Sequence, residues 1–144
     1  MNLNDVYSEV ILEHSQNKFN KKHLENPDVC KLGSNPNCGD EITLELKFDK
    51  DIIVDGSYTG QGCAISTSSA SIMIDLIKGK TKAEALELAN IFIGMIKKEV
   101  DEEKIEKLED AQAFKNISNM PARVKCALLA WYTLKGILEE VANK

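Results

Sequence analysis

The chain has 144 residues, of which 43% are hydrophobic and 28% charged, and its formal net charge is -5. This composition predicts one domain, spanning residues 1–144, with enough apolar residues for a core, and excludes an extended disordered protein. The acidic balance, without a block of lysine and arginine, argues against nucleic acid as a partner. No stretch approaches the roughly 20 apolar residues that span a bilayer. We therefore expect a cytoplasmic protein that does not bind a membrane.

The first half of the chain predicts a helix and two strands. In "LNDVYSEVILEHSQN", Val10, Ile11 and His14 have helical spacing, which indicates a short amphipathic helix. From residue 41 to 48 apolar and polar residues alternate, which is typical of a strand with one buried face. After the turn residues "DKD", "IIVDGSYTG" predicts a second strand, and an antiparallel hairpin is the simplest pairing of the two.

The second half predicts helices. "AISTSSASIMIDLIKGK" indicates a helix that stops at Gly79, and Thr81 with Glu84 forms the capping box of the next helix. The charged stretch "VDEEKIEKLEDAQAF" predicts a solvated surface helix or excursion with no binding role. Pro121 suits the first position of a last helix. Strands first and helices later favour an α+β fold, with helices packed on one side of a small antiparallel sheet.

Three of the four cysteines stand at junctions between predicted elements. Cys38 precedes the first predicted strand, Cys63 lies at the mouth of a helix, and Cys126 is near the start of the last helix. In a cytosolic chain, thiols or metal ligands are expected rather than disulfides. Plain core packing is the alternative for each, but it is weaker for Cys38 and Cys63, because glycines flank both in polar loops. Cys30 lies outside any such context, and we expect it to be a spectator.

The loop "SNPNCGDEI" places an acid two residues after its cysteine. Proline and glycine on either side of the thiol mark a bend. Gly39 lets Cys38 and Asp40 converge on one point, so that a thiol and a carboxylate are offered together.

The segments "NPNCGD", "GQGCAISTSSA" and "PARVKCALLAW" together resemble the three cysteine motifs of the SufU/IscU family of iron-sulfur cluster assembly proteins, which are also NifU-like. The resemblance covers nearly the whole chain and is closest to the SufU type. Lys125 stands directly before the third cysteine, where an IscU-type scaffold has a histidine, and the segment between the second and third motifs is long. Arg123, in its Pro-Ala-Arg context, also resembles SufU.

The resemblance implies an α+β fold and a metal site formed by Cys38, Asp40, Cys63 and Cys126. Three thiolates and a carboxylate suit tetrahedral Zn²⁺, although iron or a transient 2Fe-2S cluster is the alternative occupant. Arg123 and Lys125 would offset the negative charge of such a site.

Three functions compete. The leading one, implied by the resemblance, is a zinc-dependent sulfurtransferase in which Cys38 accepts a persulfide from a pyridoxal-phosphate cysteine desulfurase of the SufS type and passes sulfur to downstream iron-sulfur assembly proteins. Its glycine neighbour, Gly39, would let the thiol swing off the metal. The second is a scaffold on which a 2Fe-2S cluster is assembled, and the third is a zinc-stabilised adaptor without covalent sulfur chemistry. Lys125 favours the first, because a cationic lysine is a poorer cluster ligand than histidine.

The remaining polar candidates have simpler interpretations. We expect His14 to pack against the first helix's neighbours and His23 to lie at the surface. The hydroxyls at the start of the second predicted helix have no accompanying base motif, and capping and close packing near the metal explain them better; these are Ser66, Thr67, Ser68 and Ser69.

Overall fold

The computed structural model describes residues 3–35 and 39–142 of the chain. One helix precedes three consecutive strands, and the remaining helices follow them, in the order α1 (Leu3–Gln16), β1 (Val29–Asn35), β2 (Asp40–Asp49), β3 (Ile52–Gln61), α2 (Ala64–Ile77), α3 (Lys82–Ile96), α4 (Glu102–Ile105) and α5 (Pro121–Ala142). Two 3-10 segments, Glu106–Phe114 and Ile117–Asn119, lie between α4 and α5.

The three strands form one antiparallel sheet in the order β1-β2-β3. Alternation in β2 places Ile42, Leu44 and Leu46 on one face, where none of them is exposed to solvent. The helices cover this face, because burying the apolar side of a sheet requires a second layer. The prediction of an α+β fold with helices on one side of a small antiparallel sheet is confirmed.

Strand β1 is an addition to the two predicted strands. It pairs along its whole length with β2, from Val29 opposite Leu46 to Asn35 opposite Asp40. The sequence of β1 lacks the apolar and polar alternation of a half-buried strand. The residues that face the helices include Gly33, while the outward-facing Leu32 is 59% exposed. A Cβ atom on Gly33 would lie 2.0 Å from Thr133 Oγ1 of α5, so glycine is what lets the edge strand approach the helix.

Helices α2 and α5 form the centre of the layer that covers the sheet. The Trp131 ring of α5 stacks on Phe92 of α3 with 4.1 Å between the ring centroids and 5° between the ring planes. Its Nε1 donates a hydrogen bond to Ser69 Oγ of α2 at 2.9 Å, and Ser69 Oγ donates to the Ala127 carbonyl oxygen of α5 at 2.7 Å. One buried hydroxyl therefore joins the two helices.

The charged stretch after α3 is more deeply anchored than the sequence predicted. Instead of a solvated helix or excursion, it forms α4 and a 3-10 segment that buries a side chain at every third position. These side chains belong to Ile105, Leu108, Ala111 and Phe114. The backbone is kinked at Glu109, where φ is 50° and ψ is -122°, so these buried side chains do not follow the period of one regular α-helix.

Local signals elsewhere are confirmed. Thr81 caps α3 in a reciprocal capping box with Glu84, and Pro121 is the first residue of α5. His14 packs as expected, with its Nδ1 2.9 Å from Ser71 Oγ of α2. His23 is at the surface as expected, and its Nδ1 lies 2.9 Å from a carboxylate oxygen of the buried Glu45. None of the helices within residues 3–35 and 39–142 has the length and apolarity needed to cross a membrane.

Candidate metal centre

The candidate site lies at the end of the sheet where β2 begins and β3 ends. Antiparallel pairing places Glu41 opposite Gln61, so the first residue of β2, Asp40, is next to the loop that leads into α2. Asp40 is only 2% exposed. That loop consists of Gly62 and Cys63. Residue 62 cannot carry a side chain without a close contact, because a Cβ atom on Gly62 would lie 2.9 Å from Asp40 Oδ1.

Cys63 is the N-cap of α2, with extended backbone and no capping hydrogen bond from its side chain. Its backbone N–H donates to Asp40 Oδ1 at 3.1 Å, while the Ser66 hydroxyl donates to Asp40 Oδ2. Both carboxylate oxygens of the buried aspartate thus have a donor. Since a buried carboxylate is costly unless hydrogen-bonded, these two bonds account for its position.

Cys126 comes from the second turn of α5 and is 1% exposed. Its neighbour Ala127 accepts the hydrogen bond from Ser69, which fixes this turn of α5 against α2. The helix that carries Cys63 and the helix that carries Cys126 are therefore held together one residue from the second thiol.

Asp40, Cys63 and Cys126 meet at one point. A carboxylate oxygen and the two sulfurs all lie within 4.8 Å of one another, and no other group of this kind occurs among the described residues. Two sulfurs and one oxygen form the soft-and-hard donor set that suits Zn²⁺, and the hydrogen bonds from Cys63 and Ser66 keep the carboxylate in the group. The residues that the structure describes fit a metal ion.

The electrostatics of the site favour a thiolate at Cys63. Burial alone raises the pKa of this thiol, but hydrogen bonds from the backbone and hydroxyl of Ser66, from Cys126 and from the Ile65 backbone outweigh it and lower the pKa overall. A thiolate is the form that binds a metal ion.

Comparison with known proteins agrees with this architecture. Residues 6–127 match the NifU-like N-terminal domain. The chain belongs to this family. The resemblance seen in the three cysteine motifs is thereby confirmed, since the match spans the first and second motifs and includes Cys126.

Two curated relatives match this member of the NifU-like family over nearly its whole length. It is 41% identical over 140 residues to the zinc-dependent sulfurtransferase SufU of Bacillus subtilis, covering 96% of this chain and 94% of the relative. It is 40% identical over 141 residues to the iron-sulfur cluster assembly scaffold protein IscU of Streptococcus pyogenes, covering 98% and 87%.

A solved structure from the same family is similar throughout. The putative iron-sulfur cluster assembly scaffold protein for the SUF system from Fervidobacterium islandicum superposes with a TM-score of 0.86 at 41% identity, covering 95% of this chain and 99% of that one.

The other predicted site residues have different outcomes. Cys38 lies outside the described residues. Gly39 has a φ of +72° and open space where a side chain would be. Arg123 and Lys125 are exposed in the first turns of α5, and neither forms an ion pair with a described residue. Cys30 is exposed in β1 and is not part of the Asp40 group.

Sequence reasoning did not find the contact between Ser66 and Asp40. The hydroxyls of α2 were predicted to serve in capping and packing, and Thr67 and Ser68 do donate to backbone carbonyls near the helix start. Ser66 instead donates to the carboxylate. The available signal was its position three residues after Cys63, which places it on the same helix face.

Proposed function

We propose that this protein is a zinc-dependent sulfurtransferase, in which Cys38 accepts a persulfide sulfur from a pyridoxal-phosphate cysteine desulfurase of the SufS type and passes it on for iron-sulfur cluster assembly. The observation that supports this most directly is the meeting of Asp40, Cys63 and Cys126, drawn from three separate elements to within 4.8 Å of one another. The 41% identity to a zinc-dependent sulfurtransferase supports it independently.

In this proposal Cys38 completes the ligand set with Asp40, Cys63 and Cys126. Cys38 precedes Asp40 by two residues, so the backbone tethers the two Cα atoms to within about 7 Å of each other. A bound Zn²⁺ would keep the coordinated sulfurs deprotonated at neutral pH. Asp40 and Cys126 are buried, and Cys63 is fixed at the N-cap of α2. We expect Cys38 to be the ligand that leaves, because the adjacent Gly39 permits backbone movement.

The transfer itself is a thiol–disulfide type of exchange. The Cys38 thiolate attacks the terminal sulfur of the donor persulfide, a new S–S bond forms on Cys38, and the donor's S–S bond breaks. The donor cysteine leaves as a thiolate, so the exchange needs no external oxidant or reductant. The desulfurase and the downstream assembly proteins are thus the expected partners.

Exposed cations would assist this chemistry. Arg123 and Lys125 lie in the first turns of α5, on the turns that lead to Cys126, and neither is committed to an ion pair with a described residue. We expect them to offset the excess negative charge of three thiolates and a carboxylate around a divalent ion. We also propose a cytoplasmic location, where cysteines serve as thiols or metal ligands.

The second candidate is a scaffold that holds a 2Fe-2S cluster. The 40% identity to a relative named as a scaffold supports it, as does the presence of two thiols in one site. Lys125, beside Cys126, weighs against it because a protonated lysine does not bind iron as a histidine would.

The deciding experiment measures alanine production by a partner cysteine desulfurase, with and without the zinc-loaded protein. We expect strong stimulation by the parent protein and none by Cys38→Ala. Cys30→Ala is the matched control, since Cys30 is an exposed thiol outside the site, and it should stimulate like the parent.

Mass spectrometry after the reaction locates the sulfur. A persulfide adds about 32 Da, and we expect it on Cys38. Absence of stimulation from folded, zinc-loaded protein would contradict sulfur transfer and favour the scaffold. Stimulation without any sulfur adduct would favour an adaptor that only docks its partners.

A further inference from the structure

Ser66 contacts two of the three described metal-site residues at once. Its hydroxyl donates to Asp40 Oδ2 and lies 3.6 Å from Cys63 Sγ. The side chain is 1% exposed, so water does not replace these contacts. The Ser66 hydroxyl therefore lies against the Asp40 carboxylate and the Cys63 sulfur rather than at the solvent-exposed helix surface.

The local fold fixes this arrangement from both sides of the carboxylate. Cys63 is the N-cap of α2, and helical geometry places the residue three positions later on the same face. The Cys63 N–H engages Asp40 Oδ1 while Ser66 engages Oδ2. A Cβ atom on Gly62 would lie 2.9 Å from Asp40 Oδ1 and 3.0 Å from the Ser66 Cβ, so glycine at this position leaves the space that the carboxylate and Ser66 occupy.

The other hydroxyls of this part of α2 have different partners. Thr67 and Ser68 donate to backbone carbonyls of residues 63 to 65, and Ser69 bonds to α5. The Thr67 hydroxyl reaches the backbone carbonyl of Cys63, whereas the Ser66 hydroxyl contacts the side chains of two site residues. A general packing role for the hydroxyl run does not explain this difference.

We infer that Ser66 is a positioning residue that orients the Asp40 carboxylate as a metal ligand and thereby slows release of the metal. The inference rests on the metal site of the proposed function and deepens it. A carboxylate oxygen accepts more than one interaction, so Oδ2 can keep the Ser66 hydrogen bond while the group binds a cation. Hydrogen-bonded partners of ligating carboxylates hold the ligand in place, and removing such a partner typically costs 10–100-fold in metal affinity.

The test compares Ser66→Ala with Ser68→Ala in the full chain. Ser68 is equally buried and loses the same single oxygen, but its hydroxyl donates to the Ala64 carbonyl rather than to a ligand. Zn²⁺ affinity is measured by competition with a chromophoric chelator, and the release rate by transfer to excess chelator. We expect Ser66→Ala to bind about 10–100-fold more weakly and Ser68→Ala to match the parent.

An Asp40→Ala background shows whether Ser66 acts through the carboxylate. In that background the Ser66 hydroxyl has no carboxylate to orient, so adding Ser66→Ala should change Zn²⁺ affinity by less than about twofold. Substitution of Co²⁺ gives a second readout, because its visible absorption reports ligand geometry. We expect the Co²⁺ spectrum to change in Ser66→Ala and to be restored in Ser66→Thr, which keeps the hydroxyl.

Three outcomes would overturn the inference. They are parent-like affinity in Ser66→Ala, an equal loss of affinity with and without Asp40, and loss of the folded circular dichroism spectrum in Ser66→Ala alone, which would indicate a structural role. The measurements involve no desulfurase and no sulfur transfer. Their failure would therefore leave the role of Cys38 standing, and failure of the alanine assay would leave the Ser66 result standing.

Discussion

Replacing Ser69 by alanine tests how the helices that carry the two described thiols are joined. In the parent protein the buried Trp131 indole N–H donates to Ser69 Oγ, which donates to the Ala127 carbonyl. The carbonyl keeps its own hydrogen bond within α5, so the substitution leaves one buried donor, the indole N–H, without an acceptor. An orphaned buried donor costs about 1–3 kcal/mol, and the better helix propensity of alanine returns about 0.5 kcal/mol. We expect a net loss of about 0.5–2.5 kcal/mol in the free energy of unfolding.

Urea denaturation at a fixed concentration of free Zn²⁺ measures this loss, with the m-value as a check on two-state behaviour. Ser68→Ala is again the control, because its hydroxyl donates only to carbonyls of its own helix, and it should change stability by less than about 0.5 kcal/mol. In a Trp131→Phe background no indole N–H remains to be orphaned, so Ser69→Ala should cost much less. A loss of equal size in both backgrounds, or no loss in the parent, would refute the reasoning.

Two further predictions concern Gly33 and the cap of α3. Gly33→Ala should destabilise the protein by about 2 kcal/mol or more, because the new Cβ would lie 2.0 Å from Thr133 Oγ1. In thermal unfolding, Thr133→Ala should partly restore the stability of Gly33→Ala, and Ser34→Ala, on the outward face of β1, should have little effect. Equal destabilisation by Gly33→Ala and Ser34→Ala would contradict the clash. Hydrogen bonds from the Thr81 backbone and side chain lower the pKa of Glu84. The ionised Glu84 therefore stabilises the fold above the ordinary carboxyl pKa, and this stabilisation is lost as the pH falls through the lowered pKa of the folded state. The stability difference between the parent and Glu84→Gln should therefore shrink between about pH 7 and about pH 3, and a difference independent of pH would count against it.

The parts of the fold that were predictable are those in which one local rule dominates. Ile42, Leu44 and Leu46 alternate with polar residues, and Thr81 with Glu84 forms a reciprocal cap, so sequence and structure agree there. Strand β1 was not predictable from its pattern. Its close approach to α5 requires glycine at position 33, where a half-buried strand would otherwise have an apolar side chain, so the alternation is lost.

The site was predictable only as far as its chemistry could be read from residue types. Asp40, Cys63 and Cys126 stand in recognisable motifs, and the structure brings them together. Ser66 lies in a run of hydroxyl residues, and its particular role depends on the direction of one side chain relative to a strand 26 residues away in sequence. The direction of this side chain depends on how α2 packs against β2, and a local sequence pattern does not predict that packing.

The separation of the three described ligands along the chain has a consequence for biosynthesis. Asp40 and Cys63 are synthesised early, but Cys126 follows only after α3 and α4 have been made. Translation proceeds from the N-terminus, so a partly synthesised chain would have an incomplete set of the proposed ligands and would hold a metal ion only weakly. With the proposed ligand set, full metal affinity would therefore arise only once α5 has been synthesised and packed.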